Sequence, residues 1–231
     1  MKNVGGALWL FLGVLIQADA ATYSVDRQPM LDPAFGFCGM VSTCDPANYG
    51  AENFTVPVFP VAPLLQNISF YALVETSQDP DFHPSDLSGI SWLLMRDSGG
   101  HPGSVVAGAE NAPYSYTYFG EGLRPNGLGT YSIYRYDIDV PDMSLNAATY
   151  WVAFRLLDTD TQRSFYWARH SCCSGGSNFV GTPATGWTSP VYLPNFDEFA
   201  FGINVVPVPS AAFLFPSALA LLGLAKRSAS R

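Results

Sequence analysis

Few residues in this sequence carry chemistry by type and spacing. Ser104 follows His101 by three positions in the stretch HPGS, and a hydroxyl beside an imidazole is the start of nucleophilic catalysis. The same residues spell a Gly-Gly-His-Pro-Gly hairpin turn, which accounts for them without catalysis. No HExxH, GxSxG or Ser-x-x-Lys motif accompanies them. Lysine occurs only at Lys2 and Lys226, so the body of the chain has no amine for Schiff-base chemistry. Carboxylates are plentiful, but none forms a recognisable acid pair. We therefore assign no catalytic residue.

Hard oxygen ligands are the next candidates. Asp79, Asp81 and Asp86 lie close together, as do Asp137, Asp139 and Asp142, and Asp158 and Asp160. None matches the twelve-residue EF-hand loop. A structural Ca²⁺ is expected, if anywhere, at Asp79/Asp81 or at Asp158/Asp160, and no other cofactor is implied. Aromatic rings are the third set. Tyr114, Tyr116 and Tyr118 alternate along one strand face, as core residues do, but rings so spaced can also lie flat against sugars. Trp187, in the loop-like stretch GTPATGWTSP, is a single candidate for sugar contact. Asn53-Phe54-Thr55 and Asn67-Ile68-Ser69 match the N-glycosylation sequon.

The four cysteines point to an oxidising compartment. Cys38 and Cys44 sit in an early Gly/Pro/Asn-rich segment, and Cys172 and Cys173 are adjacent in RHSCCSGGSN. Three full pairings are open. Neighbouring cysteines bond to each other only with local strain, so Cys38 and Cys44 are each expected to pair with one of the later two. Metal binding is the rival, but His83, His101 and His170 show no ligand spacing around these thiols. Residues 21–205 hold 18 acidic residues against 7 arginines, a formal 7 − 18 = −11. Such a surface repels phosphate backbones and anionic lipid, which disfavours nucleic acid as a partner.

The elements that must position these residues read as strands. Residues 67–75, 89–97, 114–119, 130–140, 148–158, 164–169 and 198–206 are short, aromatic or β-branched, and bounded by turn residues. Tyr150, Val152, Phe154 and Leu156 share one face, opposite Trp151, Ala153 and Arg155. Tyr134, Tyr136, Ile138 and Val140 likewise oppose Ile133, Arg135, Asp137 and Asp139. No comparably convincing amphipathic helix and no fixed-period repeat intervenes. The pattern predicts an all-β fold, an antiparallel β-sandwich of jelly-roll type, long enough to bury a full core in one domain.

The two ends read differently. Lys2, an apolar run over residues 4–16 and Ala18-Asp19-Ala20 follow the order of a secretory signal peptide, expected to span residues 1–20 and to be cut by signal peptidase. At the other end, Val206-Pro207-Val208-Pro209-Ser210 precedes an apolar segment to Ala225 and then Lys226-Arg227. Residues 210–225 are short for a permanent spanning helix, and Pro216 interrupts them. The basic pair would hold that end in the cytoplasm. The two prolines of the neck keep it extended, which suits a peptide that another protein grips.

The ending, residues 206–231, resembles the PEP-CTERM sorting signal of Gram-negative bacteria, in a VPxP-type variant. The resemblance implies recognition by exosortase, an integral membrane transpeptidase-like enzyme. It also implies a transient stage in the inner membrane and delivery to the cell surface or extracellular matrix, in hosts that make exopolysaccharide. The run from SWLLMRDSGGHPGSVVAGAE through YDIDVPDMSLNAATYWVAFRL is similar to β-sandwich bodies of surface-anchored bacterial proteins. The expected organisation is a signal peptide (1–20), a β-sandwich surface domain (21–205) and the sorting signal (206–231). The expected role is non-catalytic, structural or adhesive, in association with exopolysaccharide. The alternatives are a lectin-like carbohydrate-binding module and a secreted hydrolase.

Overall fold

A computed structural model describes residues 22–29, 31, 36–37, 48–74, 84, 87–123, 130–157, 165–168, 170, 178–188 and 199–206, all within the compact unit Thr22–Val208. These residues are all-β, and no α-helix occurs among them. The strands are β1 (Tyr23–Asp26), β2 (Gly36–Phe37), β3 (Tyr49–Val56), β4 (Leu64–Val74), β5 (Gly89–Asp97), β6 (Pro102–Ala112), β7 (Tyr114–Leu123), β8 (Thr130–Ser144), β9 (Ala148–Leu157), β10 (Phe165–Ala168), β11 (Asn178–Thr182), β12 (Gly186–Thr188) and β13 (Phe201–Val206).

They form two antiparallel sheets. In the first, β7 pairs with β8 and β8 with β4, while the far side of β4 is shared by β13 and β10, which carry β1 and β2 beyond them. The second runs β12-β11-β3-β9-β5-β6. Period-two alternation aims one face of each sheet at a common apolar core. Ile68, Phe70 and Ala72 of β4, Tyr136 and Ile138 of β8, and Phe201 and Ile203 of β13 meet Phe54 of β3, Ile90, Trp92 and Leu94 of β5, and Tyr150, Val152 and Phe154 of β9. Phe70 stacks on Phe154 with ring centroids 4.6 Å apart, and Trp167 lies edge-on to Phe154 at 5.2 Å and flat on Phe199 at 4.3 Å. Each large side chain buried there contributes about 1.5–3 kcal/mol. The faces read from alternation in β8 and β9 are those observed.

Four strands of the second sheet, β3, β6, β11 and β12, were not legible by alternation, and Trp187, expected in a loop, stands in β12. In β3, Gly50 and Glu52 interrupt the apolar pattern, and packing explains both. A Cβ at Gly50 would stand 2.8 Å from Cε3 of Trp167, so the ring occupies the space a side chain would take. Glu52 is fully buried. Its carboxylate accepts the amide of Phe199 at 3.0 Å and that of Asn53 at 3.0 Å, and Arg27 Nη1 lies 3.4 Å away. In β6, small residues and several register shifts against β5 blur the period. The expected turn after β5 is present but ends sooner than the stretch DSGGHPGS suggests. Gly99 and Gly100 take positive φ of 67° and 85°, Asp97 accepts the Gly100 amide at 3.1 Å, and the strand resumes at Pro102.

Candidate functional site

The outer face of the first sheet carries a polar trough, and the register that builds it can be followed strand by strand. Ser115 of β7 stands opposite Asp137 of β8, Asp137 opposite Ser69 of β4, Ser69 opposite Gly202 of β13, and Gly202 opposite Asp26 of β1. The neighbouring row runs Asp139, Asn67, Asn204 and Ser24. All point away from the core because their strand neighbours, Ile138, Ile68, Ile203 and Val25, point into it. The result is a hollow of about 390 Å³ lined by Ser24, Asp26, Asn67, Ser69, Arg135 and Asn204, among others. A second hollow of about 250 Å³, reaching to Thr117 and Phe119, shares Arg135 with it.

Its charged groups hold one another. Tyr71 donates its hydroxyl to Asp26 Oδ1 at 3.0 Å, and Gln28 Nε2 donates to Asp26 Oδ2 at 3.3 Å. Arg135 reaches Asp137 Oδ1 from Nε at 3.0 Å and from Nη2 at 2.8 Å. Asn67 donates to the carbonyl of Ile138 at 3.2 Å. Burial first, and then the Asp26 carboxylate, push the Tyr71 hydroxyl up to about 12. Burial works against the charge of Arg135, but Asp137, Tyr71 and Asp26 outweigh it and its pKa is raised.

One group in the trough stands apart. Ser69 is fully buried, and its hydroxyl has no hydrogen-bond partner among the described residues. A buried hydroxyl left unmatched costs about 1–3 kcal/mol. The residue opposite is glycine, and any Cβ at Gly202 would collide with Ser69 Oγ.

On the other face of the same strands the three tyrosines of β7 part company. Tyr114 is half-buried against the core and donates to the carbonyls of Pro84 at 3.0 Å and Leu87 at 3.2 Å. Tyr116 and Tyr118 are 41% and 53% exposed. Tyr134 of β8 meets both edge-on, with centroids at 6.4 and 5.6 Å. These three rings form an aromatic edge where β7 pairs with β8 alone among the described strands. Trp187 is half-buried and packs with Trp151 and Phe179 on the outer face of the second sheet.

That outer face also carries a compact polar cluster. Glu110 accepts from Tyr49 at 2.8 Å, from Ser91, and from Arg155 at 2.5 Å, and the Arg155 guanidinium lies 4.8 Å from the Tyr49 ring centre. Burial would raise the Glu110 carboxyl, but Ser91, Tyr49 and Arg155 overrule it and hold it below the ordinary value. Burial, aided by the bond to Glu110, pushes the Tyr49 hydroxyl up to about 12. Ser91 is fully buried and Glu110 exposed, and the cluster ties β3, β5, β6 and β9 together at the surface of that sheet. His101 packs edge-on to Phe179 at 4.7 Å, and Ser104 is exposed on β6.

Cys38, Cys44, Cys172 and Cys173, the calcium candidates Asp79, Asp81, Asp158 and Asp160, and the tail beyond Val206 lie outside the described residues. Among the described residues no three His, Cys, Asp or Glu side chains converge on a metal position, and no helix is long and apolar enough to cross a membrane. Sequence reasoning missed Ser69, Asn67 and Asn204 as site residues. Their outward placement follows from the same alternation, but their meeting across β4 and β13 needs the register. Comparison with family models, with characterised proteins and with solved structures returns no match.

Proposed function

We propose that this chain is an exported cell-surface or matrix protein, non-catalytic, whose body is a jelly-roll-type β-sandwich that associates with exopolysaccharide. In this reading the N-terminal segment directs export, and an exosortase-type enzyme processes the ending at Val206-Pro207-Val208-Pro209-Ser210 and Lys226-Arg227. The contact with polysaccharide is the aromatic edge of Tyr116, Tyr118 and Tyr134. The observation that supports it is the exposure of Tyr116 and Tyr118 at 41% and 53%, in a strand whose other inward tyrosine is tied down. Exposed rings with a hydroxyl at the tip suit sugars, which present C–H faces and polar rims together.

The test is calorimetric titration of the purified chain with the host's own exopolysaccharide, compared with Tyr116→Ala and Tyr118→Ala. Loss of one ring should weaken binding by about 0.5–1.5 kcal/mol, roughly two- to tenfold. Unchanged affinity in both variants would sink the platform. Release of reducing ends during the titration would instead favour the hydrolase.

A further inference from the structure

We infer that the trough on the outer face of the first sheet is a ligand site, and that it takes a neutral, hydroxyl-rich moiety of the size of a sugar residue. The inference rests on Ser69 and its surroundings, on the opposite face of the sheet from the tyrosine edge, and stands whether or not polysaccharide binds at that edge.

Packing does not account for Ser69. Alanine would fill the same outward position on β4 without an unmatched hydroxyl, and a larger outward residue on β13 would collide with it. Ser69 and Gly202 together keep the floor of the trough low and polar. The Ser69 hydroxyl is closed to water as the strands stand, so its bond becomes available to a ligand hydroxyl only when the side chains above it move. Because Ser69 is fully buried, an entering group must first displace the longer side chains around it; of those lining the hollow, Asp26 and Asn204 are exposed and Arg135 and Asn67 half-buried.

The walls say what chemistry enters. The first hollow is lined by donors (Arg135, Asn67, Asn204, Ser24) and by the carboxylate of Asp26, and Asp137 lines the adjoining one. That mixture suits groups that both donate and accept, as sugar hydroxyls do, and offers no broad apolar wall. The charges of Asp26 and Asp137 exceed that of Arg135 by one, and Asp139 faces outward beside Asn67. An anionic sugar would meet like charge there in a body already strongly acidic. The volume of about 390 Å³ equals about 13 waters at roughly 30 Å³ each, room for one pyranose ring with some water retained.

The experiment is two-dimensional amide NMR on the full chain in a detergent without a sugar headgroup. The probes are methyl glucoside, methyl galactoside, methyl mannoside and glucuronate, each taken to about 100 mM to reach millimolar affinities. The expected result is saturable shifts at the amides of Asp26, Asn67, Ser69, Gly202 and Asn204 with at least one neutral glycoside, and binding of glucuronate about tenfold weaker or absent. Ser69→Ala should keep the fold and weaken the neutral sugar by roughly two- to tenfold, and Asn204→Ala, an exposed change, should do the same. The inference is overturned if no neutral glycoside gives saturable shifts at these amides, if glucuronate binds as tightly, or if both variants bind like the parent. Shifts confined to Tyr116 and Tyr118 would support the edge and count against the trough.

Discussion

Replacing Glu52 with alanine should be among the most damaging single changes to this body. Glu52 is fully buried in β3, yet it serves two elements outside its own sheet: the amide of Phe199 at 3.0 Å and the guanidinium of Arg27 at 3.4 Å. Arg27 is itself 19% exposed, with its guanidinium carbon 4.8 Å from the Phe201 ring centre. Truncation removes the acceptor of a buried amide and a carboxylate beside a mostly buried arginine. Breaking such a pair from one side costs about 3–5 kcal/mol. At about 2–4 °C per kcal/mol for a chain of this size, the midpoint of thermal unfolding should fall by roughly 6–20 °C. Glu52→Gln keeps one oxygen for the Phe199 amide but turns an NH2 toward the Asn53 amide and loses the charge, so it should cost less than alanine, about 1–3 kcal/mol. Thermal melts followed by circular dichroism decide the matter, and adding Arg27→Met closes a double-mutant cycle whose coupling should be about 1–3 kcal/mol. A Glu52→Ala melt within about 1 kcal/mol of the parent would refute the reasoning, because it would mean that water, not Arg27, already serves this carboxylate. The consequence reaches the trough, since Arg27 follows Asp26 directly and the pair fixes β1 against the second sheet.

Three further outcomes can be tested. Tyr49 and Tyr71 are pushed up to about 12 when folded against an ordinary 10, so the stability they lend is whole below pH 10 and is lost as pH climbs toward 12; ultraviolet titration should show these two phenolates among the late ones, and unfolding should set in within that window. Gly50→Ala drives a methyl to 2.8 Å from Trp167 and should destabilise by about 1–3 kcal/mol in chemical denaturation, with neutrality of the variant counting against the close packing of that ring. Replacing Pro207 and Pro209 together with alanine should leave uncut precursor in the inner membrane on immunoblots of fractionated cells, and normal processing would argue against the sorting role of that neck.

Much of the architecture was legible because it depends on local alternation alone. Tyr150, Val152, Phe154 and Leu156 declare the inner face of β9 without reference to any partner, and the same holds for Tyr136, Ile138 and Val140. What escaped was set by partners distant in sequence. Gly50 looks like a strand breaker until Trp167 is placed beside it, and Glu52 looks like a surface residue until Arg27 and the Phe199 amide arrive. The tyrosine stripe was read correctly as one face, but whether those rings are covered depends on how far the opposing sheet extends, which no local pattern records. Ser69 was visible only as part of a sequon, since nothing in Asn67-Ile68-Ser69 tells that glycine will stand across from it.

The two candidate contacts are tied to each other by the pleat. Tyr116 and Tyr118 face one way from β7 while Ser115 and Thr117 face the other, and the paired strand repeats this with Tyr134 and Tyr136 against Arg135 and Asp137. A slip of one residue between β8 and β4 would exchange every one of these faces, burying Arg135 and Asp137 in the core and turning Tyr136 and Ile138 to water. The ladder of β8 on β4 keeps its register from Asn67 to Val74, and its one irregularity falls between Leu65 and Asn67, beyond the row that carries Ser69. The polar trough and the aromatic edge are therefore opposite faces of a single register, and the large cost of burying an unmatched Asp137 or Arg135 holds that register for both.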